Sequence, residues 1–318
     1  MKNLKIILNS LISTLITIIC IILFIKNSKS TFHLDDLLSI IFSGWYYLLL
    51  ACFLLIINVY LRSFRWKFLF NSNEKLKIKF LFNSQLIGYF LNNILPIRIG
   101  DIGRSYVVSK YINKKTSYII GTIAMERFLD VITILLFSII VILHYGFDYL
   151  QLKILFVDAN FLFWGLCFLA SSFFIYKFLL PESLKGIFKN VWEGFSSIQS
   201  HRKTAIIIYS VIIWSIYCLN VFLIQAMFNE FQLNIFDCLL ILVSASLIQM
   251  IPVGFGGAGV FHLGVQGVLN KLGVQDYSNF IILAHLYSII VYTISGGYFF
   301  FTENSLKIKN IYKDFLND

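Results

Sequence analysis

Six apolar stretches set what this chain can fold into: Ile6 to Ile25, Trp45 to Phe64, Tyr118 to Leu143, Phe161 to Leu180, Thr204 to Phe228 and Phe280 to Phe301. About 20 such residues, wound as a helix, cross the roughly 30 Å hydrocarbon core of a bilayer. That core offers no water to backbone N–H and C=O groups, so a spanning segment of this composition must be helical. The sequence therefore predicts an all-α, polytopic membrane helix bundle, one integral membrane domain over residues 1 to 318. Composition agrees, because 58% hydrophobic against 13% charged residues leaves too little charge to cover a water-soluble globule of this size. The first stretch follows Met1 to Lys5 as a signal peptide would, but it is longer than a secretory h-region and has no small-x-small cleavage site. It reads as a retained first span.

Two further apolar segments bring the total to eight and do not look like simple spans. Phe80 to Leu95 is short, carries Asn83, Ser84, Gln85, Asn92 and Asn93, and stops at Pro96. Phe236 to Ile251 stops at Pro252 and enters Gly254, Gly256, Gly257 and Gly259. Each is followed by a second short apolar piece, Ile97 to Ile112 and Val260 to Leu269. Helix, Pro/Gly break and second half-helix form the pattern of a re-entrant hairpin, here near 80–112 and 236–270. Charge supports it. With six spans and two hairpins, residues 62 to 117 face the cytoplasm with 11 Lys/Arg against 2 Asp/Glu, while the outer loops 145 to 159 and 229 to 279 carry one Lys each. The same count predicts a multi-pass cell-membrane protein with both termini cytoplasmic and two hairpins entering from opposite faces, their tips meeting near the midplane. The alternative reading is two full but kinked spans.

Several functions are disfavoured at this stage. The five cysteines lie singly in apolar stretches without a C-x-x-C pair, so no metal or disulfide framework is expected. No phosphate-binding G-x-x-x-x-G-K-[ST], H-E-x-x-H or G-x-S-x-G occurs, so neither an enzyme nor a cofactor is expected. The net charge of +10 comes from residues that punctuate apolar spans, which points to an anionic, phosphate-bearing lipid as partner rather than nucleic acid.

The candidate site residues cluster in three places. Around the first break, Arg98 and Arg104 offer guanidinium forks suited to phosphate, with Gly100 between them. Asp101 can hold one arginine while the site is empty. The bland reading is a loop of interfacial, snorkelling charges. Glu126, Arg127 and Asp130 come next, inside a span where each unpaired charge costs on the order of 3 kcal/mol. They mark a pathway or site, or else an ion pair that staples two helices. Gly256, Gly257 and Gly259 after Pro252 allow close backbone approach, as in an anion-binding nest. His262, Gln249 and His285 nearby could accept a substrate hydrogen bond or serve as satisfied structural groups.

Three blocks together resemble the lysylphosphatidylglycerol synthase transmembrane-region family, also called the flippase-like domain family. Pro96-Ile-Arg98-Ile-Gly100-Asp101-Ile-Gly-Arg104 is similar to P-x-R-x-G-[DE]-x-x-R, Glu126-Arg127-Phe-Leu-Asp130 to E-R-x-x-D, and Pro252-Val-Gly-Phe-Gly256-Gly257-Ala-Gly259 to P-x-x-x-G-G-x-G. The resemblance covers nearly the whole chain. It implies a flippase or lipid-binding transporter for an aminoacyl-phospholipid, polyprenyl-phosphate or glycolipid, with a lipid-modifying enzyme as a candidate partner; the cytosolic aminoacyl transferase to which some members are fused is not expected in this chain. The chain departs from the family at His262, where members often carry Glu. Two rival functions stay open: an integral-membrane transferase on a lipid-linked sugar or amino acid with Asp101 or Glu126 as base, and a membrane scaffold for a partner enzyme.

Overall fold

The computed structural model describes residues 14–15, 17–26, 33–70, 76–95, 99–146, 182–198, 202–249 and 256–302. Among these residues the protein is helical and has no strand. In chain order the helices are α1 (Thr17–Lys26), α2 (Leu34–Ser43), α3 (Trp45–Phe68), α4 (Ile78–Ile94), α5 (Gly100–Ile112), α6 (Thr116–Tyr145), α7 (Glu182–Phe195), α8 (Lys203–Gln225), α9 (Ile235–Gln249), α10 (Val260–Lys271) and α11 (Ser278–Thr302). Four of them, α3, α6, α8 and α11, are long and apolar enough to cross a membrane. The expected span Phe161 to Leu180, residues 6–13 and 16 of the expected first span, and the breaks Pro96 and Pro252 lie outside the described residues.

Local chemistry explains several boundaries. Asp35 and Asp36 occupy the first turn of α2, where acidic groups favour the N-terminal end of the helix dipole. Helix α5 stops because Asn113 takes a left-handed conformation with φ 52°, and the N–H of Lys114 then closes onto the carbonyl of Ser109. The helices α4, α5, α9 and α10 have 17, 13, 15 and 12 residues. At about 1.5 Å per residue each falls short of the roughly 30 Å core.

The apolar core lies between the last four helices, where Ile213, Leu240, Val265 and Phe280 are wholly buried. The outward faces are apolar too. Leu135, Leu136, Ile139 and Leu143 of α6, Ile207 and Ile208 of α8, and Ile290, Ile294 and Phe301 of α11 are all exposed, as a hydrocarbon solvent allows. Close packing is achieved with small residues. A Cβ on Gly121 of α6 would run into the carbonyl of Val191 on α7, and one on Gly194 of α7 into that of Tyr118. A Cβ on Gly296 of α11 would likewise meet the carbonyl of Leu86 on α4. Without water to drive apolar surfaces together, such backbone approaches supply much of the helix association.

The two interrupted segments touch each other. Each folds back on itself, α4 against α5 where Gly88 abuts Arg104, and α9 against α10 where Gly264 abuts Ile248. Between them, the N–H of Gly256 donates to the carbonyl of Asn92 at 3.1 Å. Asn92 also uses its side chain, with Oδ1 accepting from the N–H of Gly100 at 2.8 Å at the start of α5. Asn93 Nδ2 donates to Thr293 Oγ1 of α11 at 3.1 Å. Gly259 has φ 85° and would press a Cβ to 2.7 Å from Cys20 of α1, so a side chain there is excluded twice over.

Substitution of Gly121 or Gly194 by Ala is expected to destabilise the protein by about 1–3 kcal/mol through overpacking. Gly186, also on α7, has open space where its Cβ would go, so Gly186→Ala should cost nothing. Thermal melting in mild detergent measures the contrast.

Candidate functional site: a buried ion-pair cluster between three helices

Seven charged side chains from three helices meet in one place. Helix α3 contributes Arg62 and Arg65, α5 contributes Asp101 and Arg104, and α6 contributes Glu126, Arg127 and Asp130. Glu126 is the centre. Its Oε1 accepts from Arg62 Nη2 at 2.5 Å and its Oε2 from Arg104 Nη1 at 3.0 Å, so one carboxylate joins α3 to α5 through α6. Asp130, one turn further along α6, accepts from Arg62 Nη2 at 2.9 Å, from Arg65 Nη2 at 2.8 Å and from the indole N–H of Trp214 at 3.2 Å. Arg65 Nη1 donates onward to Ser210 Oγ of α8 at 2.9 Å.

Burial makes these contacts obligatory. Side-chain exposure is 4% for Arg62, 0% for Arg65 and Glu126, 3% for Arg104 and 8% for Asp130. Removing an ion from water costs several kcal/mol even after relaxation, so each must find an opposite charge or a donor of its own. Trp66 completes the enclosure, with the Arg104 guanidinium 4.8 Å above its ring and its indole N–H donating to Thr122 Oγ1 at 3.0 Å.

The cluster is open at one end. Asp101 is 37% and Arg127 44% exposed. They pair with each other, Arg127 Nη2 lying 3.1 Å from Asp101 Oδ1 and 3.3 Å from Oδ2. Arg104 reaches the same Oδ1 from the buried side through Nε at 2.9 Å. The contact of Arg127 with Asp130 within α6, three residues on, is looser, at 3.6 Å. Among the described residues, four guanidiniums against three carboxylates leave the group with one net positive charge.

The structure thus brings Asp101, Arg104, Glu126, Arg127 and Asp130 together, while Arg98 lies outside the described residues. Gly256, Gly257, Gly259 and His262 belong to a different neighbourhood. His262 Nδ1 accepts from the N–H of Gly259 at 3.2 Å and so closes the start of α10, and its ring packs on Phe24 and on His285. The carbonyl of Gly256 is 3.2 Å from His285 Nε2. Asn92 bridges the two neighbourhoods, bonded to Gly256 on one side and to the residue before Asp101 on the other.

Arg62 and Arg65 were not among the sequence candidates. A charge count that starts at residue 62 assigns both arginines to the cytoplasmic excess, whereas α3 runs on to Phe68 and buries them. A signal was present: Asn58, Arg62, Arg65 and Trp66 recur at helical spacing on one face of an apolar helix, and all four are buried. Removing Arg62, Arg65 and Arg104 from the count leaves 8 Lys/Arg against 2 Asp/Glu in residues 62 to 117, so the charge asymmetry survives the correction.

Replacing Glu126 by Gln would leave Arg62 and Arg104 buried without their shared carboxylate. Breaking a buried pair in this way costs about 3–5 kcal/mol. Unfolding or thermal melting in detergent should show that loss, and Glu193→Gln, outside the cluster on α7, should not.

Over residues 6–296 the chain matches the family described as Lysylphosphatidylglycerol synthase TM region. A UPF0104 membrane protein of Methanocaldococcus jannaschii is 28% identical over 216 residues, which is 64% of this chain and 88% of the relative. A second UPF0104 membrane protein of that organism is 32% identical over 150 residues, 45% of this chain and 44% of the relative. One from Pyrococcus horikoshii is 23% identical over 286 residues, 79% of this chain and 85% of the relative. No solved structure matches the chain.

Proposed function

The chain belongs to the lysylphosphatidylglycerol synthase transmembrane-region family, and from that premise we propose that it is a flippase or lipid-binding transporter that carries a phosphate-bearing lipid between leaflets. The observation that carries this reading is the arginine excess of the buried cluster, combined with its one exposed end at Asp101 and Arg127. A bilayer lipid has one part that hydrocarbon rejects, its headgroup. A pocket that crosses that barrier must supply donors and charge from the protein, and guanidiniums match phosphate bidentately. Arg127 is the group within first reach, and Arg104 stands directly behind it.

Movement requires an element that can take two positions. The interrupted segments fill that role as opposed re-entrant hairpins, with short helices whose ends meet at Asn92 and Gly256. A shift of the second hairpin would be felt through Asn92 at Gly100, one residue from Asp101. The rival reading as a transferase needs a carboxylate poised as base. Glu126 is held by Arg62 and Arg104, and Asp101 by Arg104 and Arg127, which keeps both as acceptors of arginine bonds.

Reconstitution into sealed liposomes tests the proposal. Wild-type protein is expected to move a fluorescent anionic phospholipid across the bilayer without altering it chemically, and Arg127→Gln to slow that movement by about tenfold, a loss of roughly 1.4 kcal/mol. Chemical conversion of the lipid, or equal rates for the two proteins, would contradict it.

A further inference from the structure

We infer that Asp101 is a displaceable stand-in for the ligand's own anion, and that the ligand is therefore a lipid carrying a singly charged phosphodiester. The inference rests on the lipid-handling reading above and specifies its substrate class.

Three features set Asp101 apart from the other two carboxylates. The first is access: Glu126 is 0% and Asp130 8% exposed, while Asp101 is 37% exposed at the cluster's open end. The second is its set of partners. Asp101 accepts from Arg104 Nε and from Arg127 Nη2, so its oxygens occupy the point where two guanidiniums from different helices converge. A phosphate oxygen has the same acceptor chemistry and would satisfy the same donors. The third is that α5 does not use this side chain as its cap. No side chain caps the residue that precedes the helix, Ile99, and the N–H of Gly100 is taken by Asn92 Oδ1. Asp101 can therefore leave the arginines without uncapping α5.

Charge selects the ligand. Among the described residues the cluster carries one net positive charge with Asp101 in place, and exchange for a phosphodiester, which bears a single negative charge, conserves it. A phosphomonoester carries about 1.5 to 2 negative charges at neutral pH and would bring excess charge to a largely water-free site. The surroundings select the source of the diester. Ile99, Ile102 and Phe128, the chain neighbours of Asp101 and Arg127, are exposed and apolar, so an anion that reaches these arginines arrives across hydrocarbon-compatible surface.

The test uses full-length protein in maltoside micelles, which contain no phosphate, titrated with phosphatidylglycerol as diester, phosphatidic acid as monoester, and dimethyl phosphate as a soluble diester. Wild type is expected to prefer phosphatidylglycerol to phosphatidic acid and to ignore dimethyl phosphate at equal concentration. Asp101→Asn removes the competing charge, and should bind phosphatidylglycerol about tenfold tighter while losing the preference against phosphatidic acid. Asp101→Ser should behave alike and guards against a fault particular to Asn. Equal or weaker binding by both variants overturns the displacement, and so does loss of the folded state in both, which would make Asp101 a structural staple. Competition by dimethyl phosphate overturns the lipid source. These failures are distinct from failure of the underlying reading, which would appear as wild-type binding that Arg127→Gln leaves unchanged.

Discussion

A buried charge in a nearly water-free interior must be neutralised on the spot, and that requirement organises this protein. Glu126 and Asp130 on α6 draw Arg62 and Arg65 from α3 and Arg104 from α5 to one point. The geometry leaves few alternatives. Moving α5 by one helical turn would take Arg104 away from Glu126 and leave Oε2 of that buried carboxylate without its donor. The same cluster is both a staple and a site because each charged group at its buried end faces an opposite charge, while the end at Asp101 and Arg127 is exposed.

Around that point the helices are arranged so that backbone can approach backbone. Gly121 and Gly194 let α7 lie directly on α6, beside the turns that present Glu126 and Arg127. Gly88 lets Arg104 pass against α4. Asn92 then links the first interrupted segment to the second through Gly256 and to α5 through Gly100. Any rearrangement of the second segment thereby has a short covalent and hydrogen-bonded route to Asp101, the most exposed carboxylate of the cluster.

Much of this architecture can be read from the sequence, for identifiable reasons. Long apolar runs have one stable solution in hydrocarbon, so the helices over Trp45 to Phe64, Tyr118 to Leu143, Thr204 to Phe228 and Phe280 to Phe301 emerge from composition alone. Charges inside such a run are expensive enough to announce themselves, which is why Glu126, Arg127 and Asp130 stand out. Arg62 and Arg65 do not, because they sit near a helix end, where basic residues are ordinary in cytoplasmic loops, and only the partner helix reveals that they are buried. The pairing of Asp101 with Arg127 rather than with its sequence neighbour Arg104 alone is equally invisible, since it depends on how α5 lies across α6. His262 shows what sequence leaves open: a polar residue near a glycine-rich break fits a ligand role or a structural one, and only the fold reveals that its ring nitrogen accepts from the N–H of Gly259 at the start of its own helix.

The most direct measurement is a double-mutant cycle across α5 and α6, combining Arg104→Met with Glu126→Gln and reading stability in detergent. If these two groups hold each other inside the protein, the double variant will be less destabilised than the sum of the single variants, by a coupling of about 0.5–3 kcal/mol. Simple additivity would mean that Arg104 and Glu126 are not partners, and the buried ion pair that joins α5 to α6 would not exist.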